Sequence, residues 1–124
     1  MIAVDTSSLV AYLSGSEGSD VDTVDVALEH AHIVLPPVVV AEIFSDPALP
    51  EAVSELVLEI PRLEILPGYW ERAGKLRALV ASKGRKARLA DSLIAQSCLD
   101  HEVTLVTRDA DFEAFKRWAG LKLR

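Results

Sequence analysis

The chain has 124 residues, half of them hydrophobic and 26% charged, with a formal net charge of −6. That size suits a single domain, residues 1–124, with one core, and the balance lies well away from disordered chains. The surplus of acid excludes a protein that grips nucleic acid with its whole surface, because phosphate affinity comes mainly from Lys and Arg.

The opening apolar stretch, Met1 to Leu13, is broken by Asp5 and lacks a basic flank. Neither a signal peptide nor a membrane span is expected there, so a cytoplasmic protein without a membrane partner is the expectation. Within it, Ile2 to Val4 reads as a strand, and Thr6-Ser7-Ser8 supplies capping residues for a helix through Leu13. Ser14 to Asp22 is a Gly/Ser/acid loop, followed by a helix over about Thr23–Ala31 and a strand at Ile33–Leu35.

Pro36-Pro37 stops that strand and suits a helix start, so Val38 to Ser45 is expected to be helical although consecutive valines favour strand. Val53, Leu56, Val57 and Ile60 give helical spacing over Glu51–Ile60, and Leu63 to Leu66 reads as a short strand. A longer helix spans Tyr69 to Ser82, with Trp70, Ala73, Leu76, Leu79 and Val80 expected on its buried side.

After a basic connector, Lys83 to Arg88, come an apolar helix over Leu89–Leu99 and a strand over Val103–Val106. A helix over Ala110–Trp118 and a last strand at Leu121–Leu123 close the chain. Cys98, the only cysteine, rules out an intrachain disulfide and a thiolate metal cluster. Strands alternating with helices, without hairpin signals, predict an α/β fold: a three-layer α/β/α sandwich on a mostly parallel sheet of about 4–5 strands. In such sheets reactive groups gather beyond the carboxyl ends of the strands, where strand order reverses.

Four carboxylates stand out. Asp5 directly follows Ile2-Ala3-Val4, and Asp109 follows the Thr104–Val106 segment through Thr107-Arg108; either one alone reads equally well as a helix N-cap. Glu42 is the only charge between Ile33 and Phe44, and Asp91 the only one from Leu89 to Leu99, in segments whose composition predicts burial. A buried carboxylate needs a cation, a metal or hydrogen-bond donors. The plain alternatives are a structural salt bridge for Glu42 and a first-turn acid favoured by the helix dipole for Asp91.

If the four converge, their mutual repulsion calls for a compensating cation, and an all-oxygen set suits Mg²⁺ or Mn²⁺. Two such ions would leave a formal −2 on the loaded chain. Divalent metal on carboxylates is the usual equipment for phosphodiester hydrolysis, where it activates the attacking water and stabilises the leaving oxygen. Thr6, Ser7 and Thr107 stand beside these acids and either orient them or serve only as caps and turn residues.

The segments Ile2-Ala3-Val4-Asp5-Thr6-Ser7-Ser8-Leu9, Ala41-Glu42-Ile43, Leu89-Ala90-Asp91-Ser92-Leu93-Ile94-Ala95 and Leu105-Val106-Thr107-Arg108-Asp109-Ala110-Asp111-Phe112 resemble, in order and spacing, the PIN domain. Within that family the chain is similar to the VapC-type toxin ribonucleases of toxin–antitoxin systems. The resemblance covers the whole chain. It implies a Mg²⁺- or Mn²⁺-dependent endoribonuclease using Asp5, Glu42, Asp91 and Asp109, with Asp111 a weaker candidate, and it implies a cognate antitoxin and a homodimer. A housekeeping RNA-processing nuclease and a non-catalytic RNA- or protein-binding module of the same fold remain as alternatives.

The connector cations Arg85, Lys86 and Arg88 are candidates for holding RNA phosphates, or form a solvated turn. Arg88, three residues before Asp91, is equally placed to be its salt-bridge partner. Trp70 and Trp118 are expected in the core rather than as interface anchors, and His30 and His32 at the end of the sheet away from the acids. A dehalogenase-type phosphatase would need a second Asp at position 7, which is Ser7, and Ser14-Gly15-Ser16-Glu17-Gly18 has no lysine to make a phosphate loop.

Overall fold

In the computed structural model, which describes residues 1–124, the run Ile2–Val4 forms the central strand β1. It pairs in parallel with β2 (Ile33–Val34) on one side and β3 (Thr104–Val106) on the other. Ala3 lies opposite Val34 and Leu105, so the register is set by small and branched apolar residues. Ala3 and Val4 point to opposite faces of the sheet, and both are fully buried, so both faces are covered. The three-layer α/β/α arrangement follows.

The sheet has three strands in the order β2-β1-β3, fewer than the 4–5 the sequence suggests. The segments at Leu63 and Leu121–Leu123 each contribute a single bridge, Leu35 to Arg62 and Leu105 to Leu123. Beside Leu35 the next rung would need an N–H from Pro37, which has none, and Pro36-Pro37 turns the chain away. On the other edge, Leu105 takes one bond from Arg124 and gives one to Lys122.

Seven helices surround this sheet: α1 (Thr6–Leu13), α2 (Ser19–Glu29), α3 (Pro37–Phe44), α4 (Glu51–Glu59), α5 (Tyr69–Ser82), α6 (Leu89–His101) and α7 (Glu113–Ala119). The prolines decide α3: Pro37 is pre-set for the first helical turn, and Val39 and Ile43, four apart, enter the core. α2 starts at Ser19, four residues earlier than expected, which shortens the Gly/Ser loop. The expected helix over Ala110–Trp118 is split into a 3₁₀ turn, Ala110–Phe112, and α7, because the Asp109 carboxylate draws the Asp111 N–H into a tight turn.

α5 has the expected bounds and a different buried stripe. Tyr69, Ala73, Leu76 and Val80 face inward, whereas Trp70 is 60% and Leu79 40% exposed. At 100° per residue, Trp70 and Leu79 flank that stripe rather than lie in it. Trp118 is also exposed, between Lys83 and Arg117, whose cations stack on its ring. Neither tryptophan is a core residue. The core instead centres on Phe112 and Phe115, with Leu9, Leu35, Ile94 and Leu105, all fully or almost fully buried. α6 ends where Glu102 turns left-handed at φ +53° and the Val103 N–H closes on the Cys98 carbonyl. No helix is long and apolar enough to cross a membrane.

Candidate metal centre

The chain leaves β1 toward β2 and returns on the other side as β3, so strand order reverses beside β1 and a crevice opens beyond its carboxyl end. Asp5 enters that crevice directly. Its backbone N–H bonds the Val106 carbonyl at 3.0 Å, which carries the β1–β3 ladder one step past the strand. Its side chain is buried, and Oδ2 accepts hydroxyl bonds from Ser7 at 2.6 Å and Thr107 at 2.7 Å. The second oxygen is left without either donor.

Thr107 also accepts the Asp109 N–H at 3.0 Å, so one hydroxyl group joins the end of β1 to the turn after β3. The Asp109 carboxylate accepts the Asp111 N–H at 2.9 Å, which folds these two acids toward each other. Asp91 meets them from the first turn of α6. Ligand oxygens of Asp91, Asp109 and Asp111 all lie within 4.8 Å of one another.

Asp91 is 9% exposed, and its buried Oδ2 has no hydrogen-bond partner. Burial, and then the negative charges of Asp109 and Asp5, push its carboxyl up to about 6, against a smaller pull from Arg88. Arg88 makes no ion pair with it, so the salt-bridge alternative for Asp91 is excluded. Lys86 lies 3.5 Å from Asp111 with both side chains partly exposed, and Arg85 is exposed.

Glu42 departs from its expected setting. It is exposed on α3, because the Val39–Ile43 stripe that faces the core turns the residue before Ile43 outward. Its one partner is Thr6, whose hydroxyl donates to Oε1 at 2.7 Å. Thr6 begins the helix that follows Asp5, so Glu42 stands at the rim of the crevice, outside the Asp91–Asp109–Asp111 group.

One neighbouring feature gives no local signal in the sequence. Arg108 reaches across 88 positions to Asp20, with Nε at 2.8 Å from Oδ2 and Nη2 at 2.9 Å from Oδ1, and Ser8 donates to the same carboxylate. These donors hold Asp20 far below the usual carboxylate range, the Arg108 guanidinium contributing most. Arg108 is the only cation in the Thr107–Asp111 motif, and α2 neutralises it.

A cavity of about 450 Å³ lies elsewhere and does not mark this site. It lies by the amino ends of β1 and β2, among Met1, Ile2, His30 and His32, and contains none of these acids. The two histidines are therefore away from the carboxylates, as expected. What the crevice offers is a compact all-oxygen set, one member of which has an unsatisfied buried oxygen, a donor set that fits a hard divalent cation and no soft one.

The PIN domain profile matches residues 2–117, a span that takes in every one of these acids, and the chain belongs to the PIN domain family. PIN domains are generally nucleases, and the nucleases among them use divalent metals. No curated protein matches in sequence. Solved structures share the fold over nearly the whole chain. A chain of VapBC2 from Rickettsia felis, bound to a DNA fragment from their promoter, is 23% identical, with TM-score 0.73 over 100% of this chain and 98% of that one. VapBC-1 from nontypeable Haemophilus influenzae gives 19% identity and TM-score 0.70 over 100% and 97% of the two chains. VapBC-5 from Mycobacterium tuberculosis, of the VapBC family of toxin-antitoxin systems, gives 19% and 0.64 over 98% and 95%.

Proposed function

We propose that the chain is a metal-dependent endoribonuclease and the toxin of a toxin–antitoxin pair. The observation that carries the catalytic reading is the meeting of ligand oxygens of Asp91, Asp109 and Asp111 within 4.8 Å, at a carboxylate, Asp91, that also has a buried and unpartnered oxygen. Three carboxylates at that spacing repel one another, and a Mg²⁺ or Mn²⁺ ion removes both the repulsion and the unsatisfied oxygen.

Asp91, Asp109 and Asp5 would hold the ion, with Asp111 beside them and Glu42 completing the set from the rim. When bound, the ion supplies a Lewis acid that makes water a competent nucleophile at neutral pH and offsets charge on the phosphoryl oxygens. The chain's own residues do the positioning. Ser7 and Thr107 fix one Asp5 oxygen and leave the other free. Thr107 keeps Asp109 in register with Asp5. Arg85, Lys86 and Arg88, on the connector leading into α6, present cations to RNA phosphates.

The toxin reading is supported by the neighbouring folds, which come from toxin–antitoxin complexes. It carries with it a cognate antitoxin, a homodimer and a cytoplasmic site of action. Purified chain is expected to cut RNA with Mg²⁺ or Mn²⁺ and not with chelator. Asp5→Asn is expected to remain folded and inactive; unchanged cleavage in that variant sinks the mechanism. For the toxin role, expression of the wild type arrests growth, and a short neighbouring reading frame encoding a DNA-binding antitoxin relieves the arrest. Cleavage without arrest leaves a processing nuclease, and RNA binding indifferent to chelator without any product leaves a binding module.

A further inference from the structure

A second cavity, of about 380 Å³, adjoins the carboxylates on the α7 side and shares Thr107 and Asp109 with them. Its volume is within the roughly 300–1,000 Å³ typical of ligand clefts. Two of its eight lining residues are hydrophobic, so it offers little to an apolar side chain of a protein partner. Lys116, from the last turn of α7, and Arg124, beyond the single bridge to β3, join Arg108 as its cations. The Lys116 and Arg124 side chains are exposed, and neither is in an ion pair.

In this they are like Arg85 and Arg88 on the connector into α6, and unlike the two other cations beside the acids. Arg108 is held by two bonds to Asp20, and Lys86 leans on Asp111. On a chain of net −6, unpaired cations that border an acidic crevice have no structural partner to serve. Glu113 is the one acid in the cavity wall besides Asp109, and Asp109 faces the metal under the reading above. With Arg108 already neutralised, Lys116 and Arg124 balance Glu113 and Asp109 in the metal-free chain, and a cation held at Asp109 would leave the wall one positive charge in excess.

We infer that Lys116 and Arg124 form a phosphate subsite that holds the RNA backbone next to the bond being cut. The inference rests on the ribonuclease reading and adds the side from which the strand approaches. An RNA phosphate seated between them lies beside Asp109 without touching it, so these two residues bind substrate and take no part in the chemistry. Their contribution is to ground-state and transition-state binding alike, which lowers KM and leaves kcat unchanged.

The test uses the full chain and a fluorescent single-stranded RNA 12-mer of mixed sequence, with binding followed by anisotropy in EDTA across a KCl series. The double variant Lys116→Ala/Arg124→Ala is expected to bind roughly 5- to 20-fold more weakly, and its log–log salt slope to fall by roughly 1.4, at about 0.7 per lost contact. Lys116→Arg retains affinity, and Lys75→Ala, an exposed cation elsewhere on α5, leaves both values at the wild-type level. With Mg²⁺ present, the double variant's KM rises and its kcat stays within about twofold of wild type. Wild-type affinity and slope in the double variant, while Asp91→Asn still abolishes cleavage, overturn the subsite and leave the nuclease standing. A wild type that neither binds nor cuts RNA overturns both.

Discussion

The hydroxyl of Thr107 donates to Asp5 Oδ2 at 2.7 Å, joining two residues 102 positions apart, and accepts the Asp109 N–H. It therefore fixes the spacing between an acid after β1 and an acid after β3. Thr107→Val keeps the branched shape and removes both bonds. We expect Mg²⁺ affinity and RNA cleavage to fall about 10- to 100-fold, the usual cost of losing a partner that orients ligands. Thr107→Ser restores most of the loss. Mg²⁺ titration followed by thermal shift, beside a cleavage assay, reads both.

Asp91 supplies a prediction about stability. Its folded-state carboxyl, at about 6, is raised from 3.8 by burial and by Asp109 and Asp5, so between those values the unfolded chain binds fewer protons than the folded one. Stability of the metal-free protein should fall as pH climbs from about 4 to about 6 and stay reduced above that. Asp91→Asn removes the dependence. Without metal at pH 7 it should be more stable than wild type by about 1–3 kcal/mol, with the difference vanishing below about pH 4. Added Mg²⁺ should raise the wild-type Tm and leave the variant's unmoved. Urea melts at pH 4 and pH 7 decide it; equal loss of stability at both means that the carboxylate is not under strain.

The Asp20–Arg108 pair behaves in the opposite sense. Asp20 is held low by Arg108 and Ser8, so its contribution is present above the ordinary carboxylate range and is lost as pH falls below it. Asp20→Asn should lower Tm at pH 7 and approach the wild type in strong acid. Because α2 would then release Arg108, the same variant should bind RNA more tightly at low salt.

Much of this was readable from the chain, for a physical reason. Asp5 and Asp91 are charges in apolar runs, and both are buried, because burial of a run carries its charge along. Glu42 has the same sequence signature and is exposed. Its run is a helix with a one-sided core stripe, and Val38 and Val40 pack at the margins of the core without drawing Glu42 in. Helical phase also explains Trp70. The sheet was overcounted because periodicity marks extended segments but not whether a prolyl nitrogen allows a second rung. Arg108's partner lies 88 residues away, and no local pattern announces a contact at that range.

The tight turn between Asp109 and Asp111 gives the two acids different parts to play. Asp109 Oδ1 accepts the Asp111 N–H, so Asp109 both caps the 3₁₀ turn and faces Asp91, whereas Asp111 offers only its carboxylate, with Lys86 at 3.5 Å. Asp109→Ala should therefore lose metal affinity and also about 1 kcal/mol of metal-free stability, the ordinary value of a cap. Asp111→Ala should leave metal-free stability within about 0.5 kcal/mol, as for surface changes generally. If Asp111 is a ligand, its removal weakens Mg²⁺ binding and Lys86→Ala strengthens it slightly by releasing the carboxylate. If it is not, neither substitution shifts the Mg²⁺ titration, and the ion rests on Asp91, Asp109 and Asp5 alone.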